Sequence, residues 1–133
     1  LGDYLEILER DRGEIQALEH DLLIPVTRFF RDSDAFAALA REFIPRMLED
    51  KPTGEPIRIW VAGCSTGEEA YSIAISLLEC LGEERRWPVQ IFGTDVSERA
   101  IRMARSGIYS ASSIKQLSRQ QLQRFFTVVD NRY

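Results

Sequence analysis

Gly63-Cys64-Ser65-Thr66-Gly67 and, further along, Asp95 are the strongest candidates for a functional site in this chain. The chemistry they suggest is ligand binding. A short apolar run (Ile57, Ile59, Trp60, Val61, Ala62) leads into the first glycine. Rich in β-branched and aromatic residues, it reads as a buried strand. After Gly67, the residues Ala70, Ile73, Ala74, Leu77, Leu78 and Leu81 recur at the three-four spacing of one helix face. A glycine turn between strand and helix aims backbone N–H groups and the positive helix end at a ligand. Gly63 and Gly67 let that ligand approach with no Cβ in the way. Asp95 follows a second apolar run, Val89, Ile91 and Phe92. An acid at that strand end can hydrogen-bond a ribose; its other reading is a loop acid that caps the next helix.

Three other chemistries use similar turns. Gly63-Cys64-Ser65-Thr66-Gly67 also spells the nucleophile elbow of a serine hydrolase. That fold needs its histidine after the serine, and the single histidine here, His20, comes before Ser65. A phosphate loop needs Gly-Lys-Ser/Thr, which is missing, and a nicotinamide turn needs Gly-x-Gly-x-x-Gly. Cys64 sits inside the turn, with nothing in the sequence to mark it as a nucleophile.

Four ordered stretches carry a family resemblance across about residues 22–126. They are Val26-Thr27-Arg28-Phe29-Phe30-Arg31-Asp32, Ala62-Gly63-Cys64-Ser65-Thr66-Gly67-Glu68-Glu69-Ala70-Tyr71, Gly93-Thr94-Asp95-Val96-Ser97 and Ala104-Arg105-Ser106-Gly107-Ile108-Tyr109. Together they resemble the chemotaxis-receptor glutamate methyltransferases, the CheR family. The resemblance implies S-adenosylmethionine as methyl donor, S-adenosylhomocysteine as product, and a methyl-accepting chemotaxis receptor as protein substrate. It implies cofactor-binding roles for Thr27, Arg31, Gly63, Glu69 and Asp95, and no catalytic acid or base. Each role has a plainer alternative. Glu69 could close a capping box with Thr66, Arg31 could form a surface ion pair, and Thr27 could cap a turn. Tyr71 could be core or pocket wall, with core preferred.

The resemblance also marks departures. Family members often carry Asn where Pro25 stands, and they continue past the final Phe-Phe helix into further strands, a receptor-gripping β-subdomain and another cofactor loop. The chain therefore resembles a truncated fragment, similar to members fused to methylesterase or PAS sensory domains. The rival reading is a truncated or degenerate module that binds cofactor or a protein partner without catalysis.

The elements that must hold these residues follow from pattern and punctuation. Tyr4, Leu5, Ile7 and Leu8, then Ile15, Leu18 and Leu22, make the apolar stripe of a helical subdomain over residues 1–50. Asp32, Ser33 and Asp34 are candidate N-caps for a helix with Phe36, Leu39, Ala40 and Phe43 on one face. Pro45 ends that helix or opens the next. Residues 51–56 form a turn-rich linker, and 57–133 form the first part of an α/β, Rossmann-like methyltransferase fold with a right-handed βαβ crossover. Ser65 with Glu68, like Thr66 with Glu69, fits a capping box, and Gly82 ends the helix. Val96 and Ile101 are predicted to staple the Ser97 cap, Gly107 stops that helix, and Ser118 with Gln121 caps the last. Thr127, Val128 and Val129 could start a third strand.

Composition bounds the rest. The chain has 133 residues, 44% hydrophobic and 29% charged, enough for one small domain with a core. A net charge of −4 with no dense basic run argues against a nucleic-acid partner. No apolar run reaches membrane-spanning length and no signal peptide is visible. Cys64 and Cys80 make no disulfide framework, and a reduced, cytoplasmic protein is the simpler reading. A sheet of so few strands leaves apolar edges open, so the isolated chain is expected to be a homo-oligomer.

Overall fold

The chain begins with a helical hairpin, α1 (Gly2–Arg10) and α2 (Arg12–Leu22). Asp11 sits between them and accepts the Gly13 N–H at 2.8 Å, satisfying an otherwise orphaned donor of α2. This computed structural model describes residues 2–22, 26–82 and 87–133. Leu1, Pro25 and the side chain of His20 lie outside the described residues. The apolar stripe of the hairpin is present but uncovered: α1 buries no residue, and Leu5 and Leu22 are mostly exposed.

Helix α3 (Ser33–Ala38) passes through one π-helical segment, Leu39–Phe43, into α4 (Ile44–Glu49). Pro45 lies in the first turn of α4. In an unbroken α-helix its ring would crowd the carbonyl four residues back, at Arg41, and widening that turn relieves the clash. The wider turn also shifts the packed face. Phe43, expected inside, is 71% exposed, and Ile44 is buried instead. Asp32 precedes α3 but makes no side-chain capping bond.

Strands β1 (Ile57–Ala62) and β2 (Val89–Thr94) pair in parallel, from Ile57 opposite Val89 to Ala62 opposite Thr94. Helix α5 (Glu68–Leu81) makes the crossover between them. It packs one face of the sheet, where Ile44, Ile57, Leu77 and Leu81 form one core. Leu77 is fully buried, so Leu77→Ala would cost about 2–5 kcal/mol. The other sheet face is open: Trp60 is 72% exposed beside Phe92, so β1 is half buried rather than the fully buried strand its composition suggests. Alternation puts Ile57 and Val61 on the covered face and Trp60 on the bare one.

Helix α6 (Glu98–Ser106) starts at Ser97, whose hydroxyl accepts the Ala100 N–H, and stops at left-handed Gly107. Val96 stays 80% exposed, so the expected hydrophobic staple does not cover it. Helix α7 (Arg119–Phe125) carries the Ser118–Gln121 capping box in full. The expected third strand is absent among the described residues: Val129 makes only an isolated bridge to Arg132. The tail instead returns to Tyr109, whose backbone exchanges hydrogen bonds with Tyr133. A second core gathers there, from Phe29, Ile75, Tyr109, Ile114 and Leu117.

Candidate functional site

The glycine turn is held at successive residues by different elements. The Cys64 N–H donates to the Thr94 carbonyl at 2.9 Å and the Gly67 N–H to the Cys64 carbonyl at 2.9 Å. The Ser65 N–H donates to Asp95 Oδ2 at 2.8 Å, and the Tyr109 hydroxyl donates to the Thr66 carbonyl at 2.8 Å. These ties keep Ser65 in the left-handed region at φ 48°, unusual for a residue with a Cβ. Gly67, at φ 97°, is itself the N-cap of α5. Neither capping box expected there forms. Thr66 donates its hydroxyl to Glu68, which is buried, while Glu69 is exposed.

Asp95 does two jobs at the end of β2. While Oδ2 takes the Ser65 N–H, Oδ1 takes the Ser97 N–H at 2.8 Å. It is not the N-cap of α6, since Ser97 holds that place. Each oxygen has a further lone pair. Cys64 is buried, and burial together with the Asp95 carboxylate raises its thiol above the ordinary range. That is the wrong direction for a nucleophile.

The Thr27–Arg31 segment is tied to the same turn from the other side. Phe29 is fully buried against Tyr109 at 4.9 Å between ring centres. Phe30, left-handed at φ 49°, donates its N–H to Ser72 Oγ at 3.0 Å, and that hydroxyl donates to the Glu68 carbonyl at 2.6 Å. With its two aromatics turned inward, the segment places Thr27 and Arg31 on a cleft. Arg31 donates to the Val26 carbonyl at 2.7 Å, and Arg28 donates to the Arg31 carbonyl at 3.3 Å.

That cleft has a volume of about 940 Å³, and Thr27, Arg31, Gly63, Glu69 and Asp95 all line it. It is near the top of the range of about 300–1,000 Å³ usual for small-molecule sites. Two further guanidinium groups, Arg28 and Arg99, line it too, and the sequence assigned a cofactor role to neither. Apolar wall comes from Phe36, Ile73 and Met103. Tyr71 is elsewhere: its hydroxyl donates to the Ala104 carbonyl at 3.0 Å and its ring packs on Tyr109. Gly93, which the motif contained but which had no role assigned to it, has none of the space a side chain would need: a Cβ there would stand 2.9 Å from Cys64 Sγ, so its bareness is what lets the turn pack on β2.

Residues 25–133 match the profile of the CheR methyltransferase SAM-binding domain. The chain belongs to this family. The methyl donor of the CheR domain is S-adenosylmethionine. The chain is 42% identical over 128 residues to the chemotaxis protein methyltransferase of Salmonella typhimurium and 41% identical over 128 residues to that of Escherichia coli. Both alignments cover 94% of this chain but only 41% and 42% of the relatives, so the chain spans about two-fifths of their length. It is also 41% identical over its whole length to an uncharacterized 104.1 kDa protein of Rhodobacter capsulatus, of which it covers 14%.

The CheR cofactor fits the cleft chemically. Gly63 opens onto it with nothing within 4 Å of where a Cβ would stand. Asp95 offers acceptors suited to ribose hydroxyls, and guanidinium groups suit an amino-acid carboxylate. Among the described residues no helix is long and apolar enough to cross a membrane.

Proposed function

We propose that this CheR domain serves S-adenosylmethionine-dependent methyl transfer to glutamate side chains of chemotaxis receptors, giving glutamyl methyl esters. The observation that carries this reading is the convergence of Thr27, Arg31, Gly63, Glu69 and Asp95 on one cleft. In this reading Asp95 holds the ribose, Arg31 the cofactor carboxylate, and Thr27 and Glu69 the remaining polar groups. Bound cofactor supplies an electrophilic methyl on a sulfonium, with a neutral thioether as leaving group. A glutamate carboxylate, with an ordinary pKa of about 4.3, is already ionised at neutral pH and needs no base. The residues of the cleft therefore orient and hold, and good alignment can supply about 7–11 kcal/mol of the barrier.

The same reading takes β1 and β2 as neighbouring strands of a Rossmann-like sheet, with ligand at their carboxyl ends. It divides the chain into a helical unit over residues 1–50, a linker over 51–56 and the methyltransferase portion from 57, although Ile44 already contributes to the core under β1. It places the protein in the cytoplasm, where receptor tails are reached. The alternative is a module that binds cofactor or a partner without catalysis.

Two measurements test the proposal. Calorimetry should show this chain binding S-adenosylhomocysteine. The full-length parent should transfer label from S-adenosylmethionine to receptor in a form released as methanol by alkali, as an ester must be. Cofactor binding without transfer in the parent supports the non-catalytic module. An esterase activity abolished by Ser65→Ala would return the turn to the hydrolase reading.

A further inference from the structure

We infer that Tyr109 is a positioning residue for cofactor binding, locking the glycine turn to the Thr27–Arg31 segment. The inference rests on the cleft being the cofactor site. Tyr109 is buried, with 6% exposure, and does not line the cleft. Its hydroxyl reaches the Thr66 carbonyl at 2.8 Å, one residue beyond the N–H that Asp95 holds. The Ser65–Thr66 segment is thus gripped at two points, by a carboxylate from the end of β2 and a phenol from beyond α6.

The ring does the second half of the work. It stands edge-on to Phe29 at 4.9 Å and to Tyr71 at 5.8 Å. Phe29 lies midway between Thr27 and Arg31, so moving the Tyr109 ring moves the segment carrying both cleft residues. The Tyr109 backbone is fixed in turn by its paired hydrogen bonds with Tyr133 at 2.8 and 3.0 Å. Gly67 is part of the same lock: a Cβ there would stand 2.9 Å from the Tyr109 hydroxyl. This contact holds the turn in the shape that presents Gly63, Ser65 and Thr66 to the cleft.

The matched control is Tyr71, whose hydroxyl also donates to a carbonyl, that of Ala104, but is not on the turn. Tyr109→Phe and Tyr71→Phe each remove one hydroxyl bond and keep the ring. Both should lower the melting temperature, Tyr109→Phe by more because its hydroxyl is buried and that of Tyr71 is not. Calorimetric affinity for S-adenosylhomocysteine should fall severalfold, up to about tenfold, in Tyr109→Phe, as the turn loses preorganisation worth at most one hydrogen bond, and less than twofold in Tyr71→Phe. Equal affinities in the two variants would overturn the positioning role while leaving the cofactor reading intact. Failure of the wild-type chain to bind would overturn the cofactor reading and the inference with it.

Discussion

Asp95 and Ser65 are thirty residues apart in the chain, yet the Asp95 carboxylate accepts the Ser65 N–H at 2.8 Å. The bond joins the carboxyl end of β2 to the glycine turn after β1, and its other oxygen holds the Ser97 N–H ahead of α6. One side chain therefore sets the spacing of both strand ends. It leaves lone pairs for a ligand without giving up either structural bond.

Asp95→Ala should weaken S-adenosylhomocysteine binding by about 1.5–3 kcal/mol, the usual worth of hydrogen bonds to a charged group. It should also destabilise the chain, because two backbone donors lose their acceptor. Calorimetry and thermal melting separate the two effects. An affinity within twofold of wild type would exclude Asp95 from the cofactor site.

The two turn glycines should fail differently. At Gly67 a Cβ would meet Ala104 and the Tyr109 hydroxyl at 2.9 Å, on top of the cost of φ 97°. Gly67→Ala should therefore lose at least about 2 kcal/mol of stability. Gly63, at φ 68°, has open space around its missing Cβ. Gly63→Ala should cost only about 1–2 kcal/mol of stability, with cofactor affinity falling in addition. Denaturant titration beside calorimetry reads both.

Self-association is expected of this chain on its own. Trp60 and Phe92 are register partners on the bare sheet face, 72% and 54% exposed, and no third strand flanks the pair among the described residues. Light scattering at low micromolar concentration should give a dimer or larger. Trp60→Glu with Phe92→Lys should shift it toward monomer. A monomeric wild type would mean that the open face is tolerated.

Alkali should destabilise the fold through Tyr109. Burial, reinforced by the Glu68 carboxylate, raises the phenol above its ordinary value. A folded pKa above the unfolded one, about 10, gives stability that is complete below pH 10 and declines as pH rises past it. Melting temperature followed from pH 8 to 11 should fall above pH 10, and fall less in Tyr109→Phe. Identical slopes would mean that Tyr109 does not carry the effect.

Local order was legible without coordinates because neighbouring residues decide it. The glycine turn, α5 ending at Gly82, the Ser97 and Ser118 caps and the Gly107 stop all follow from side chains within a few positions. The candidate cofactor residues were legible too, since four spaced motifs named them in order. Packing was not. Whether Glu69 would cap its helix or line the cleft depended on Gly67 taking the N-cap with a positive φ. Phe43 and Trp60 are as apolar as the residues of the core, but a π-helical turn and a sheet covered on one face leave them outside. The Ser65–Asp95, Thr66–Tyr109 and Phe30–Ser72 bonds span 30, 43 and 42 residues. Which groups could meet a cofactor was readable from residue order alone. That they share one cleft was not, because long-range hydrogen bonds and aromatic contacts, which no local pattern encodes, bring them there.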